Sequence, residues 1–383
     1  MMKRKRSEKT AIMIGRIFVV ILCLVCVANV LMPDQKTSAT EQRTLQTFPK
    51  FNVEDALSGE YNNQIDDWFS DQFMGRNFLI HLKYLVQKSL GVKKIDDVYL
   101  AKDSLIQDTA KMNQENVKKN IDAINAYFQR NQVNTMFLLA PNAVSMNADQ
   151  LPSHAFIESQ NAQMDEIFKA LSPSIAKIDV RDTLKKHRDE YLYYKTDHHW
   201  TSLASYYAMS EIAAYMEFDL PKISQYTKYP VTHDFKGTLA KKAGSILYAD
   251  DIDIYVPKKN PDYVVTYEAD QKKSRTIYRS DSLDTADPYT VFLGGNQSLI
   301  QIDIDNESDH HLLLFKDSYA NSLIPFLIPY FRTITVVDPR YYTENIDRVM
   351  TSQLITDVMY VYNSNTFVQD QSLMDVLNEE KAE

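Results

Sequence analysis

Cysteine is almost absent from this 383-residue chain, which contains Cys23 and Cys26 alone. Both lie in an apolar stretch near the N-terminus, so the rest of the chain can form neither a disulfide nor a zinc site with thiolate ligands. Glycine is also scarce, with eight residues, and the sequence has no internal repeat or low-complexity tract. Stability must therefore come from a hydrophobic core, which a chain of this length is long enough to bury.

Long apolar runs are also missing, with one exception close to the N-terminus. Five basic residues precede a run that extends over residues 11–32 and is interrupted by Arg16. At about 1.5 Å per residue these 22 positions span roughly 33 Å, enough to cross a bilayer core. We predict a cytoplasmic basic tail at 1–10, a transmembrane signal-anchor at 11–32, and residues 33–383 outside the cell. The alternative is secretion after signal-peptide cleavage behind Ala28.

Positive charge is too sparse for a nucleic-acid-binding protein. The chain carries 42 basic and 51 acidic residues, and six of the basic residues lie at or before Arg16. The exported part is therefore strongly acidic, and we expect no nucleic acid partner.

The remaining pattern predicts an α/β fold. Residues 33–60 are polar and indicate a linker, and 61–383 indicate one catalytic domain. Residues 61–130 have apolar positions at helical spacing, for example from Phe78 to Val86. Beyond them, short apolar runs alternate with helix-compatible stretches, which favours a mainly parallel sheet covered on both faces. These runs are Thr135–Ala140, Ile178–Val180, His311–Phe315, Thr333–Val337 and Val358–Tyr362.

Residues 221–300 interrupt this alternation. Their apolar pieces are short and strand-like, at Ile252–Val256, Val264–Tyr267 and Thr276–Tyr278. We predict a β-rich insertion in the α/β domain.

The segment Asp197-His198-His199-Trp200 is the first candidate site. In an extended segment Asp197 and His199 would share one face and His198 would point to the other. A carboxylate that holds one nitrogen of His199 would leave the second free to take a proton from a hydroxyl. Two alternatives stay open: a helix start capped by Thr201, and a metal site. The sequence has no second Asp/His motif with convincing ligand spacing, so we predict no metal.

Two further motifs supply candidate partners. Ser318 follows the apolar run that ends at Phe315, and a serine at a strand-to-helix turn is placed where backbone N–H groups converge. An ordinary helix cap is the alternative. The adjacent Gly294 and Gly295 with Asn296 could approach a ligand closely and donate to an oxyanion, or could form a plain turn.

Together these motifs resemble the DHHW family of bacterial exported proteins, relatives of the alginate O-acetyltransferase group in the SGNH (GDSL-like) hydrolase superfamily. The resemblance rests on "TDHHWT" with "IDVRD" upstream, then "GGN", "KDSYANSLIPFL" and "DPRYY", and extends from about Glu41 almost to the C-terminus. It implies a three-layer α/β/α domain in which Asp197 orients the base His199 and Ser318 is the nucleophile. Oxyanion or substrate binding is assigned to Gly295, Asn296, Tyr319 and Asn321.

The resemblance also implies an activity. We expect an extracytoplasmic O-acetyltransferase that uses no bound cofactor, modifies a polysaccharide, and receives acetyl groups from a membrane-bound O-acyltransferase partner. The same residues would serve an esterase that removes acetyl groups. A non-catalytic polysaccharide-binding scaffold is the third possibility, since 24 tyrosines could provide stacking surfaces.

Overall fold

The computed structural model describes residues 2–38 and 43–378. Glu41, where the family resemblance begins, lies outside the described residues, and so do the side chains of the basic tail. The chain forms two compact units, one up to Leu90 and one from Gly91 onward.

The N-terminal unit is mainly helical. Its helix α1 includes the segment Ile12–Leu31, which by length and composition could cross a membrane, as a signal-anchor or a signal peptide would. The predicted linker 33–60 contains two short strands and one short helix, and its boundary at residue 61 stays a prediction. The elements are α1 (Met2–Leu31), β1 (Thr37–Ser38), β2 (Arg43–Thr44), α2 (Val53–Ser58), α3 (Glu60–Gln72) and α4 (Arg76–Ser89).

The second unit carries thirteen strands and ten α-helices in its described residues. Its first strands are β3 (Lys94–Ile95), β4 (Val98–Leu100), β5 (Leu105–Gln107), β6 (Asn134–Ala140), β7 (Ala176–Ile178), β8 (Tyr226–Phe235) and β9 (Asp250–Pro257). The others are β10 (Tyr263–Tyr267), β11 (Lys272–Ser274), β12 (Leu299–Ile304), β13 (His311–Lys316), β14 (Thr333–Val337) and β15 (Asp357–Asn363). The helices are α5 (Gln114–Asn131), α6 (Ala143–Met146), α7 (Gln160–Ala170), α8 (Arg181–Lys186), α9 (Ser202–Met216), α10 (Thr238–Ala243), α11 (Ile324–Leu327), α12 (Ile346–Ser352), α13 (Ser364–Phe367) and α14 (Leu373–Leu377).

The main sheet has eight strands in the order β11-β10-β12-β14-β13-β15-β6-β7. The five strands from β14 to β7 are parallel to one another, and β12, β10 and β11 extend the sheet by antiparallel pairing. The predicted α/β class with a mainly parallel sheet is thus confirmed. Four of the five apolar runs coincide with strands, and the fifth, Ile178–Val180, overlaps only the last residue of β7.

The sheet is buried on both faces, which makes the domain three-layered. In β13, Leu312 and Leu314 belong to one apolar cluster, whereas Leu313 and Phe315 belong to the other. Apolar residues of helix α9 pack in the first cluster. Apolar residues of helices α5, α7 and α12 pack in the second. A strand that is buried on both faces has no polar face, which is why these strands occur in the sequence as continuous apolar runs.

The β-rich region 221–300 contributes strands to two different sheets. Strands β8 and β9 pair with each other in a separate ribbon, while β10 and β11 join the edge of the main sheet. The predicted strand at Thr276–Tyr278 is wrong, because the chain there makes only an isolated bridge between Tyr278 and Phe292. Helix α10, between β8 and β9, reaches the candidate site described next.

Candidate active site

Ser318 begins a 3-10 helix, Ser318–Ser322, just beyond the carboxyl end of β13. The preceding Asp317 is fully buried and fixes this turn. Its carboxylate accepts hydrogen bonds from the Tyr319 N–H at 2.9 Å, and from the Asn363 N–H at 2.8 Å and Nδ2 at 2.6 Å. Since Asn363 ends β15, Asp317 joins the ends of two neighbouring parallel strands. Burial raises the pKa of Asp317.

His199 lies between Asp197 and Ser318. Its Nδ1 is 2.5 Å from Asp197 Oδ1 and its Nε2 is 2.7 Å from Ser318 Oγ. Asp197 and His199 are buried, whereas Ser318 is partly exposed. The ring of Tyr289 stacks on the imidazole, with centroids 3.9 Å apart and planes 15° from parallel. A carboxylate on Nδ1 favours the tautomer whose Nε2 accepts a proton, so this arrangement can deprotonate the serine.

The other oxygen of Asp197 is also occupied. Oδ2 accepts from the Thr238 N–H at 2.7 Å and from the Thr238 hydroxyl at 2.9 Å. Burial alone would raise the pKa of Asp197, but electrostatic interaction with the imidazoles of His198 and His199 and the hydrogen bonds from His199 and Thr238 hold this pKa well below its ordinary value. Asp197 is therefore ionised at neutral pH and fixed in orientation.

Gly237 makes this contact possible, although no motif in the sequence indicated this residue. It precedes α10, and a Cβ built on it would overlap Asp197 Cβ and Oδ2 and lie 2.7 Å from Asp197 Cγ. Its φ of −79° is ordinary, so the site requires glycine for space and not for backbone freedom. The signal that could have revealed it is the scarcity of glycine, which drew attention to Gly294 and Gly295 but not to this residue.

Asp250 is a second residue of the site that no motif in the sequence indicated. It is buried at the start of β9, and its carboxylate accepts from the backbone N–H groups of Lys195 and Thr196, both at 2.8 Å. It also accepts from the hydroxyls of Thr196 and Tyr191. Burial raises the pKa of Asp250. The segment leading to Asp197 is thereby held by four donors on one carboxylate.

His198 does not point away from the site, so the predicted alternation is wrong. Its ring centroid is 3.9 Å from that of His199, and its Nδ1 is 2.7 Å from the Thr238 hydroxyl and 3.5 Å from Asp197 Oδ1. The reason is local geometry, because residues 195–199 form bends and not an extended strand. Burial lowers the pKa of His198 to about 4, so its imidazole is neutral at pH 7.

Asp197, His198 and His199 also form a group whose ligand atoms could surround a metal ion, the one such group among the described residues. Both oxygens of Asp197 accept protein hydrogen bonds, and both nitrogens of His199 have protein partners. A metal would have to displace these contacts. The observed donor set therefore favours the dyad with Ser318 over metal ligation.

The other predicted residues lie around this centre. Gly295 has a φ of 93° in its turn, and Asn296 Oδ1 accepts from the buried Nζ of Lys316 at 3.0 Å. Tyr319 is fully buried, receives a hydrogen bond from Asn142 at 2.9 Å, and donates to the His198 carbonyl. Asn321 is buried, and its Oδ1 has no hydrogen-bond partner among the described residues. Among the described residues, neither Asn296 nor Asn321 is joined to Ser318 by a side-chain hydrogen bond.

A cleft of about 890 Å³ opens beside the dyad, with His198, Thr238 and Arg340 in its lining. Arg340 is held by buried Asp338, through Nε to Oδ1 at 2.8 Å and Nη2 to Oδ2 at 2.6 Å. A second cavity, of about 250 Å³, is also lined by Arg340. The exposed ring of Tyr341 lies 5.5 Å from the guanidinium carbon. Arg340 therefore lines both cavities, and the larger one also includes His198 and Thr238 of the candidate site.

Two family models match this chain. The model described as "SGNH hydrolase-like domain, acetyltransferase AlgX" matches residues 98–300, and the model described as "DHHW protein" matches residues 41–122. The first contains Asp197 and His199 and ends before Ser318. No curated protein sequence matches. The family resemblance predicted from the motifs is confirmed.

Similar solved structures with TM-scores above 0.6 show the same fold. A DHHW family protein from Eubacterium siraeum is 23% identical with a TM-score of 0.61, and the match covers 74% of this chain and 93% of that one. Bacillus cereus PatB1 with a sulfonyl adduct is 19% identical with a TM-score of 0.62, covering 72% and 98%. The O-acetyltransferase domain of Pseudomonas putida AlgJ is 12% identical with a TM-score of 0.46, covering 73% and 94%.

Proposed function

This chain belongs to the family of SGNH hydrolase-like, AlgX-type acetyltransferase domains, and on that premise we propose that it is an extracytoplasmic O-acetyltransferase acting on a cell-surface or secreted polysaccharide. The observation that carries the proposal is the position of His199, 2.5 Å from Asp197 and 2.7 Å from Ser318 Oγ. A base held by a carboxylate and bonded to a partly exposed serine is the arrangement that acyl transfer requires.

The first half-reaction acetylates the serine. His199 Nε2 takes the proton of Ser318 as Oγ attacks the acetyl carbonyl carbon, and Asp197 stabilises the resulting imidazolium. Collapse of the tetrahedral intermediate breaks the bond to the donor's leaving oxygen, which receives the proton from His199. The product is an acetyl ester on Ser318 Oγ.

The second half-reaction reverses these roles. A sugar hydroxyl gives its proton to His199 Nε2 and attacks the acetyl carbon, and Ser318 leaves with that proton restored. The cleft lined by His198, Thr238 and Arg340 is our candidate for the acceptor site. The exposed ring of Tyr341, the residue that follows Arg340, is our candidate stacking surface for a sugar.

We propose that hydrogen-bond donors near Ser318 stabilise the oxyanion of the tetrahedral intermediate. Among the described residues, the Ser318 N–H has no hydrogen-bond acceptor, so this donor is available at the start of the 3-10 helix. Gly295, Asn296, Tyr319 and Asn321 keep their predicted assignment to oxyanion or substrate binding.

Delivery of acetyl groups requires a partner, since acetyl-CoA is cytoplasmic. We propose a membrane-bound O-acyltransferase as the donor and α1 as the anchor that keeps this chain beside it, with residues 33–383 outside the cell. Protease added to intact protoplasts should release a soluble domain. Resistance that disappears only on lysis would place the domain in the cytoplasm and contradict the proposed topology.

The activity test uses the full chain in detergent with a chromogenic acetyl ester, with and without a soluble oligosaccharide acceptor. We expect ester turnover that depends on Ser318, acetylated sugar by mass spectrometry, and modification of Ser318 by a sulfonyl fluoride. The Ser318→Ala variant is the control and should show none of these.

Other outcomes separate the alternatives. Turnover without acetylated sugar, together with removal of acetyl groups from an acetylated polysaccharide, would identify an esterase. Absence of both turnover and sulfonyl labelling, with retained polysaccharide binding, would identify a scaffold.

A further inference from the structure

Helix α4 has an apolar face that the protein leaves exposed. Phe78, Leu79, Leu82, Leu85 and Val86 occupy one arc of about 120° at 100° per residue, and their exposed fractions range from 40% at Leu85 to 67% at Phe78. The opposite side of the helix carries the one residue of α4 that is buried, Tyr84. A face of this size is normally covered by an apolar partner.

The charge of α4 indicates which partner. The helix carries Arg76, Lys83 and Lys88 and has no acidic residue, although the chain as a whole has an acidic excess. Lys83 and Arg76 border the apolar arc at about 140° and 160° from Phe78 by helix geometry. Cations beside an apolar stripe are typical of helices that lie in a membrane interface, where they contact lipid phosphates.

The position of α4 relative to α1 supports the same partner. Asn29, in the last turn of the apolar segment Ile12–Leu31, is buried and accepts a hydrogen bond from the Met74 N–H at 2.7 Å. Met74 lies two residues before α4 begins. Just beyond α1, Asp34 accepts from the indole of Trp68 in α3 at 2.9 Å. The start of α4 is thus fixed at the end of the segment proposed to cross the bilayer.

We propose that α4 lies flat in the lipid–water interface, with its apolar face in the acyl region and Arg76 and Lys83 at the phosphates of anionic phospholipid. The proposal rests on the anchoring by α1 proposed above. Lipid is favoured over a protein partner because α1 places the start of α4 at the level of the headgroups. The helix itself carries basic and no acidic residues, which complements an anionic surface, and Asp71 lies 3.8 Å from Arg76 at its start. The expected depth of the apolar face is about 5–10 Å below the headgroup boundary.

The test places an environment-sensitive fluorophore on α4 in the full chain. In a Cys23→Ser/Cys26→Ser background, Leu82→Cys puts the probe on the apolar arc and Asn77→Cys puts it on an exposed position outside the arc. The purified variants are reconstituted into protein-free vesicles of equimolar phosphatidylcholine and phosphatidylglycerol. We expect spin-labelled lipid to quench the probe at 82 several-fold more than the probe at 77.

A probe on the native residue Cys23 distinguishes a failure of the proposed position of α4 from a failure of the proposed membrane anchor α1. The Cys26→Ser variant labelled at Cys23 reports insertion of α1, with quenching expected near the bilayer centre. Quenching at Cys23 with equal, weak quenching at 82 and 77 would overturn the interfacial position of α4 and leave the anchor intact. If the probe at 82 were shielded only after a membrane protein partner was added, the face would be a protein-docking surface and the lipid proposal would be wrong. Loss of quenching at Cys23 as well would refute the anchor itself.

Discussion

Replacing Gly237 by alanine should disable the site through one added methyl group. The backbone at Gly237 suits any residue, so the change introduces no conformational strain. The added Cβ would overlap the side chain of Asp197 and lie 2.7 Å from its Cγ, where ordinary contacts are 3.4–4 Å. Asp197 or the start of α10 must therefore move by about 1 Å, the scale of misplacement that disrupts catalytic geometry.

The size of the effect follows from what Asp197 does. Loss of the orienting carboxylate in a triad lowers kcat by about 10⁴, and a displacement of about 1 Å can cost about 10². We expect kcat of Gly237→Ala to fall by about 10² to 10⁴. Overpacking should also lower stability by about 1–3 kcal/mol.

The assay is turnover of a chromogenic acetyl ester, with the melting temperature measured on the same samples. Gly244→Ala at the other end of α10 is the matched control, because Gly244 has a φ of 75° and its substitution should cost stability without reaching Asp197. If Gly237→Ala kept the kcat of the parent protein, the steric reasoning about Asp197 would be refuted. Equal losses of kcat in both variants would indicate general destabilisation.

Three further predictions concern neighbouring residues. His199→Ala should lower ester turnover nearly as far as Ser318→Ala, by about 10³ or more, whereas His198→Ala should cost far less, as steady-state kinetics will show. Because the folded pKa of His198 is about 4 and its ordinary value is 6.5, the unfolded chain binds more protons between these values. Stability should therefore fall as pH drops from 6.5 to 4, by up to about 3 kcal/mol, and His198→Gln should flatten this dependence in urea unfolding. Asp250→Ala should lower the free energy of unfolding by about 2–4 kcal/mol, because it leaves buried donors unpaired.

Each of these predictions has its own outcome that would contradict it. Equal losses from His198→Ala and His199→Ala, together with sensitivity to a chelator, would favour a metal site over the acyl-enzyme. An unchanged pH dependence in His198→Gln would assign the acid instability to other groups. Parental stability in Asp250→Ala would contradict the stabilising role given to the hydrogen bonds that Asp250 accepts.

The class of fold could be predicted from local sequence because it depends on residues that are neighbours in the chain. Strands such as β6 and β15 are buried on both faces, so each occurs as a continuous apolar run. The exception is Thr276–Tyr278, which has the composition of a strand but, among the described residues, pairs only through an isolated bridge between Tyr278 and Phe292. Pairing is a tertiary property that composition does not encode.

The candidate triad combines residues that are far apart in the chain. Residue type and strand-end position suggested Ser318, and the spacing of Asp197 and His199 suggested a dyad, while the resemblance joined the two. The assumption that failed was the extended conformation at His198. A two-residue alternation holds only in a strand, and the hydrogen bonds of Asp250 bend this segment instead.

By itself the sequence determined the apolar N-terminal segment, the α/β class and the chemical types available at the site, since each depends on composition or on short spacing. Only the tertiary structure decided which of these residues meet. It brings His199 to Ser318 across 119 positions and places Gly237 where no side chain fits beside Asp197. The physical reason is that such contacts arise when strand ends and an inserted helix converge in space. Contacts of 2.5–3 Å between remote segments do not produce a periodic pattern in the sequence.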